Sequence, residues 1–144
     1  MNIKVKRLTD QAILPSQGSK LAAGFDLCAD CEKMIPIFPH TTEVISTGIS
    51  MEIPEGYFGG IYARSGLATR DGIRPSNCVG VIDSDYRGEI KVALYNDSEK
   101  AYMIVPKQRI AQLVIQPCMQ IDFEEVKELE KTERAEGGFG STGV

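Results

Sequence analysis

The chain has 144 residues, 42% hydrophobic and 25% charged, which suits one globular domain with its own core and argues against a second. Its net charge is −4, from 16 basic against 20 acidic side chains with no lysine or arginine run. That excludes nucleic-acid polymers as partners, whereas a small phosphorylated ligand needs only a local cluster of donors. The apolar runs, MIPIF and MIV among them, are far too short to span a bilayer, and the opening MNIKVKRLTD has no apolar secretory stretch. A soluble, non-membrane protein of the cytoplasm is expected, with the nucleus open to a eukaryotic or viral source.

In chain order, NIKVKRL reads as the first short β run, closed by the turn formers of PSQGS. AAGFDLCA (22–29) carries Asp26, a carboxylate that simple turn chemistry would explain. EVISTGISMEI and YFGGIYA read as strands, the first ended by IPEG. Then SGLATRDG breaks the pattern: Ser65 is a candidate N-cap and Gly72 a candidate stop, which predicts one helix of about two turns. GVIDSDYRGE (80–89) reads as a hairpin whose Val81 and Ile82 enter the core while Asp83 and Asp85 share a face and Ser84 points away. In EIKVALYN, Ile90, Val92 and Leu94 alternate with Lys91 and Ala93, the period of a half-buried strand. YMIV and RIAQLVIQ complete the set. Runs recurring roughly every eight to twelve residues predict an all-β sandwich or closed barrel.

After Glu130 the composition changes to KTERAEGGFGSTGV. This stretch cannot join a core by itself, so a β domain over 1–130 and a Gly-rich arm over 131–144 are expected. Phe139, a lone aromatic between glycines, is accidental, packed, or waiting for a ligand.

The cysteines are Cys28, Cys31, Cys78 and Cys118, and the single histidine is His40. One CxxC without a second pair, and with one histidine, leaves a closed zinc site short of ligands, so free thiols are expected. His40 sits in FPHTTEV, a turn sequence with no motif around it, which disfavours covalent acyl transfer through a Ser-His or Cys-His pair.

AAGFDLCA, GGIYARSGLA (59–68), GVIDSDYRGE, RIAQ (109–112) and EGGFGSTG, in that order, resemble the five motifs of the trimeric dUTPase family over most of the chain, from about Lys20 to Val144. The resemblance implies a jelly-roll homotrimer with sites shared between subunits and a mobile C-terminal arm. It implies hydrolysis of dUTP to dUMP and pyrophosphate with Mg²⁺. Phosphoanhydride hydrolysis needs mainly charge neutralisation, alignment and an oriented water, and the residues suit that need. Arg64 offers a guanidinium fork, with Ser65 and Gly66 at the start of the helix, where N–H groups face an anion; an ordinary salt bridge and a helix cap explain the same residues equally well.

By resemblance, Asp83 is the general base, and Tyr86 packs on the deoxyribose and leaves no room for a 2′-hydroxyl. Asn77 with the backbone around Gly80 and Ile82 would read uracil, and Lys91 borders that site. Gln112 is a phosphate-side contact and Asp26 lies near the water shell of Mg²⁺. In the arm, Arg134 reaches the γ-phosphate, Phe139 stacks on uracil, Gly140 lets the backbone wrap, and Ser141 and Thr142 donate hydrogen bonds. The chain departs from the family pattern at Ala135, at Lys107-Gln108 and at Tyr62-Ala63. A deaminase relative would carry a glutamate where Ala93 stands, and a nucleotide sensor would have no use for Asp83 as a base.

Overall fold

A computed structural model describes residues 1–138. Within them the protein is all-β with one short helix, and every strand pairing is antiparallel. In chain order the strands are β1 (Lys4–Arg7), β2 (Ser16–Gln17), β3 (Phe25–Cys28), β4 (Ile35–Ile37), β5 (Thr42–Ser46), β6 (Ile49–Glu52) and β7 (Tyr57–Tyr62). Helix α1 (Ser65–Asp71) precedes β8 (Ile73–Pro75), β9 (Gly80–Ile82), β10 (Lys91–Asn96), β11 (Tyr102–Ile104) and β12 (Arg109–Pro117).

The largest sheet runs β2-β3-β12-β7-β9; a second runs β5-β10-β8; β1-β6 and β4-β11 form two-stranded pairs. One core joins them, because β3, β4, β5, β6, β7, β8, β10, β11 and β12 each send in an aliphatic side chain, and α1 adds Leu67. Ile37, Ile45, Ile49, Ile90, Leu94 and Ile104 are fully buried, each worth roughly 1.5–3 kcal/mol relative to exposure. The alternation read in EIKVALYN holds, with Val92 and Leu94 inside and Lys91 outside. Its last residue, Asn96, is buried and satisfied: Nδ2 donates to the carbonyls of Ile37 (2.9 Å) and Lys100 (2.8 Å), and Oδ1 accepts from Ser98 N at 2.9 Å.

The sequence EVISTGISMEI is two strands, not one. Gly48 takes φ 66°, and this bend sends β5 to β10 but β6 to β1.

Helix α1 forms where expected, but its cap differs. Arg64, extended at φ −83° and ψ 130°, is the N-cap, and Ser65 is the first helical residue. No side chain caps that end, so the first-turn N–H groups remain free for solvent or an anion. Gly72 ends the helix in the left-handed conformation, φ 69°, with its N–H on Leu67 O. A β-carbon there would also press on Ser98 N at 3.2 Å, so only glycine serves both needs.

The predicted hairpin at 80–89 is not one. β9 pairs with β7, whereas β10 pairs with β5 and β8, so residues 83–90 cross from one sheet to another. Val81 is 59% exposed and does not enter the core, although Ile82 packs against it. Asp83–Tyr86 is a β-turn, closed by Tyr86 N on Asp83 O at 3.2 Å. The turn curls the segment, so Ser84 shares a cavity wall with Asp83 and Asp85 instead of pointing away.

The last strand ends at Pro117, and 118–138 hold no strand or helix. His40 is the exposed turn residue expected, at φ 57°, with its ring 3.1 Å from Glu99 Oε1. All four cysteines are free. No helix among the described residues is long and apolar enough to cross a membrane.

Candidate active site

The predicted site residues fall into two groups, one where β3, β12 and β7 meet and one around the crossing from β9 to β10. The first lies where β3, β12 and β7 come together, with Gln112 of β12 facing Asp26 on one side and Tyr62 on the other. This register sets Asp26, Gln112 and Tyr62 side by side across three neighbouring strands, just before α1 begins.

Asp26 is nearly buried, its side chain 14% exposed. It accepts from Arg64 Nε at 2.8 Å through Oδ1 and from Arg109 Nη1 at 3.2 Å through Oδ2. One carboxylate therefore brackets two guanidiniums, and Arg64 Nη1 also reaches Arg109 O at 3.4 Å. Such charge-assisted bonds fix a fork that would otherwise sample many rotamers. Gln112 Nε2 donates to Ala63 O at 2.8 Å, which pins the backbone immediately before Arg64. Gly24 makes room for this, because a β-carbon there would stand 3.2 Å from both Cβ and Cδ of Gln112 and overlap its amide oxygen. Ser65 and Gly66 are exposed at the uncapped helix start. Two guanidiniums and the uncapped start of α1 therefore stand together here.

Cys28 is buried behind this cluster. Burial pushes its thiol up, the Asp26 carboxylate adds to the effect, and Arg109 and Arg64 oppose it.

The second group surrounds the crossing from β9 to β10. β9 is held against β7 in the register Gly59↔Ile82 and Ile61↔Gly80, which presents Asp83 just beyond the sheet. Arg87 Nη1 donates to the carbonyls of Ser84 (2.6 Å) and Tyr86 (3.0 Å) and stiffens the turn. Tyr86 Oη donates to Glu89 O at 2.9 Å. Asp83, Tyr86, Ile82, Val81, Glu89 and Lys91 line a cavity of about 200 Å³. Asp83 also lies on the wall of a second cavity of about 600 Å³, with Ser84, Asp85 and Phe58. Asp83 thus stands on the lip between two hollows, open to water.

Asn77 is exposed beside the start of β9, followed by a tight turn in which Val79 N donates to Asn77 O at 2.6 Å and Cys78 takes φ 62°. Lys91 Nζ is 3.4 Å from Glu89 Oε2.

Asp83 and Arg64 stand apart along the chain's own strands. Ile82 faces Gly59, and from the neighbouring Phe58 the chain runs six residues to Arg64, roughly 20 Å of extended backbone. Arg134 belongs to neither group; it is exposed and its Nε donates to Gly137 O at 2.9 Å. Phe139, Gly140, Ser141 and Thr142 lie outside the described residues.

Sequence reasoning missed Arg109, Gly24 and Gly88. Arg109 stood in the quoted RIAQ, and an arginine beginning a strand opposite an acidic motif was the available signal. The glycines had none, because their role depends on which side chain passes over them.

This chain is similar to known proteins along its whole length. The dUTPase family model matches residues 10–143. The chain belongs to the dUTPase family. The deoxyuridine 5′-triphosphate nucleotidohydrolase of Nautilia profundicola is 50% identical over 143 residues, 99% of each chain. That of Hydrogenobaculum sp. is 47% identical, covering 100% of this chain and 99% of the relative. Among solved structures, a dUTPase of Staphylococcus bacteriophage 80alpha with dUpNHpp superposes with a TM-score of 0.90 at 30% identity, covering 99% of each chain. The all-β jelly-roll architecture is that of this dUTPase family.

Proposed function

We propose that the chain hydrolyses dUTP to dUMP and pyrophosphate, with Asp83 activating a water for attack on the α-phosphorus. The observation that carries this is the pairing of an open carboxylate with an aromatic ring on one stiffened turn. Asp83 and Tyr86 share the walls of a cavity of about 200 Å³ in a chain that belongs to the dUTPase family. Asp83, exposed and unpaired by any guanidinium among the described residues, is placed to take a proton from water. Tyr86 would face the sugar and reject a 2′-hydroxyl by overlap. Arg64, Ser65 and Gly66 would hold the phosphates, with Gln112 fixing the backbone that carries Arg64. Asn77, Gly80, Ile82 and Lys91 would border the base. The arm over 131–144, through Arg134, Phe139, Gly140, Ser141 and Thr142, would close over the nucleotide.

Mg²⁺ fits this chain as a cation carried by the substrate. Among the described residues no group of three or more His, Cys, Asp or Glu converges to cage an ion, and both oxygens of Asp26 are engaged by guanidiniums. Asp26 would therefore meet the ion's water shell only through its remaining lone pairs, in keeping with the reluctance of Mg²⁺ to shed water. When bound, Mg²⁺ neutralises phosphate charge.

A homotrimer with shared sites is part of the same reading. Its support is the separation of Asp83 from Arg64 along β7, together with an uncovered segment after β12. In that segment Met119, Ile121 and Phe123 alternate and are 85%, 64% and 93% exposed. Three large apolar side chains left this exposed within one short stretch favour a partner surface.

The test is pyrophosphate release from dUTP, dCTP, dTTP and UTP, each with Mg²⁺ and with chelator. Rapid turnover of dUTP alone, lost with chelator, is expected. Equal turnover of UTP or dTTP would overturn the assignment of the pocket.

A further inference from the structure

Gly88 lies in the crossing between β9 and β10, against the ring of Tyr86. The far end of that ring is tied down, since Tyr86 Oη donates to Glu89 O at 2.9 Å. Glu89 is itself anchored: Oε1 accepts from Gly48 N at 3.0 Å and Oε2 lies 3.4 Å from Lys91 Nζ. The ring therefore rests against a fixed point of the fold. A β-carbon at residue 88 would stand 2.6 Å from Cζ and 3.0 Å from Cε2 of Tyr86, well inside the roughly 3.5 Å at which two carbons attract.

Backbone conformation does not explain the glycine. The positive-φ glycines are Gly48, Gly56 and Gly72, so residue 88 has a conformation open to alanine. What excludes a side chain is the ring. Tyr86 is 44% exposed, so a larger residue at 88 can push the ring aside without disturbing the core.

We infer that Gly88 is a specificity-determining position: its missing β-carbon seats the Tyr86 ring, and the seated ring sets discrimination between deoxyribo- and ribonucleotides. This rests on the reading of Tyr86 as the sugar-facing group. Gly88 acts through Tyr86 and touches no substrate, so it is a positioning residue.

The test compares Gly88→Ala, Tyr86→Ala and the double variant by kcat/KM for dUTP and for UTP, with thermal melting alongside. Tyr86→Ala should lower the dUTP to UTP ratio by about tenfold or more. Gly88→Ala should lower it in the same direction, and the double variant should be no worse than Tyr86→Ala alone, because the ring through which Gly88 acts is gone. If Gly88→Ala melts earlier, the double variant should recover the loss; failure to recover would show that the clash is not with the ring and would overturn the inference. A Gly88→Ala ratio equal to wild type, beside a Tyr86→Ala ratio that falls, would refute the role of Gly88 and leave that of Tyr86 intact. An unchanged ratio in Tyr86→Ala would refute both.

Discussion

At the scale of single residues, the departures from the family pattern acquire a physical meaning. Lys107 and Ala135, two of the positions that depart from that pattern, take φ 65° and φ 45°, the left-handed region that disfavours a β-carbon. The turn before β12 survives because neighbours over-determine it. Lys107 N donates to Ala29 O at 2.9 Å, Ala29 N donates to Gln108 O at 2.8 Å, and Gln108 Oε1 accepts from Val105 N at 2.9 Å. Gln108 thus fastens this turn. Lys107→Gly should relieve the strain and raise stability by about 1 kcal/mol, read as a higher urea midpoint with an unchanged slope; a lower midpoint would show that the lysine side chain contributes more than its backbone costs. The thiols give a second test. Cys78 and Cys118 are exposed and Cys28 is buried with its thiol pushed up, so a disulfide reagent at neutral pH should modify the first two quickly and Cys28 last. Because folding raises the Cys28 pKa, its contribution to stability is present below the ordinary thiol range and is lost as pH rises through the folded value. Cys28→Ala should therefore flatten the fall in melting temperature as pH rises above the ordinary thiol range; an identical fall in both proteins would place the alkaline sensitivity elsewhere.

At the scale of elements, legibility followed how local the determining contact is. β10 and β12 were readable because their aliphatic residues lie close together in sequence and their burial pattern is their own. β3, β8 and β9 are three or four residues long and include or adjoin proline or glycine, so a partner strand far along the chain decides them. The misread hairpin has the same origin, since β9 chooses β7, some twenty residues earlier, over its neighbour β10. In the site, the motifs identified the chemical groups but not their partners. Asp26 was read toward a metal, whereas its contacts are with Arg64 and with Arg109, which is 83 positions away. That bracket yields a prediction for β3 and β12 together. Asp26→Asn removes the charge that holds both guanidiniums and should cost about 1.5–3 kcal/mol of stability. It should raise KM for dUTP roughly tenfold if Arg64 is the phosphate clamp, and steady-state kinetics beside urea denaturation separates the two effects. A lost kcat with KM unchanged would instead point to a role in the chemical step.

At the scale of the whole molecule, one working site of the proposed trimer would draw Asp83, Arg64 and the arm from different copies of the chain. The basis is the roughly 20 Å of extended backbone from Phe58, which shares a cavity wall with Asp83, to Arg64, and the exposure of Met119, Ile121 and Phe123. Two variants, each dead alone, test it directly: Asp83→Asn, which should lose a factor of about a hundred to ten thousand in rate while still binding nucleotide, and a truncation after Glu130, which should fold because none of residues 131–138 belongs to the core. Co-expressed at equal amounts, the two chains mix at random during assembly. A working site then needs a truncated chain for its Asp83 and an Asp83→Asn chain for its arm, conditions met together in about one quarter of sites under cyclic symmetry. The measurement is dUTP turnover by the mixed trimers, with their mass checked by light scattering, against each variant alone. Turnover near one quarter of wild type is the result expected; inactivity in verified mixed trimers would show that hairpinless turn and arm meet within a single chain, and would contradict the shared site.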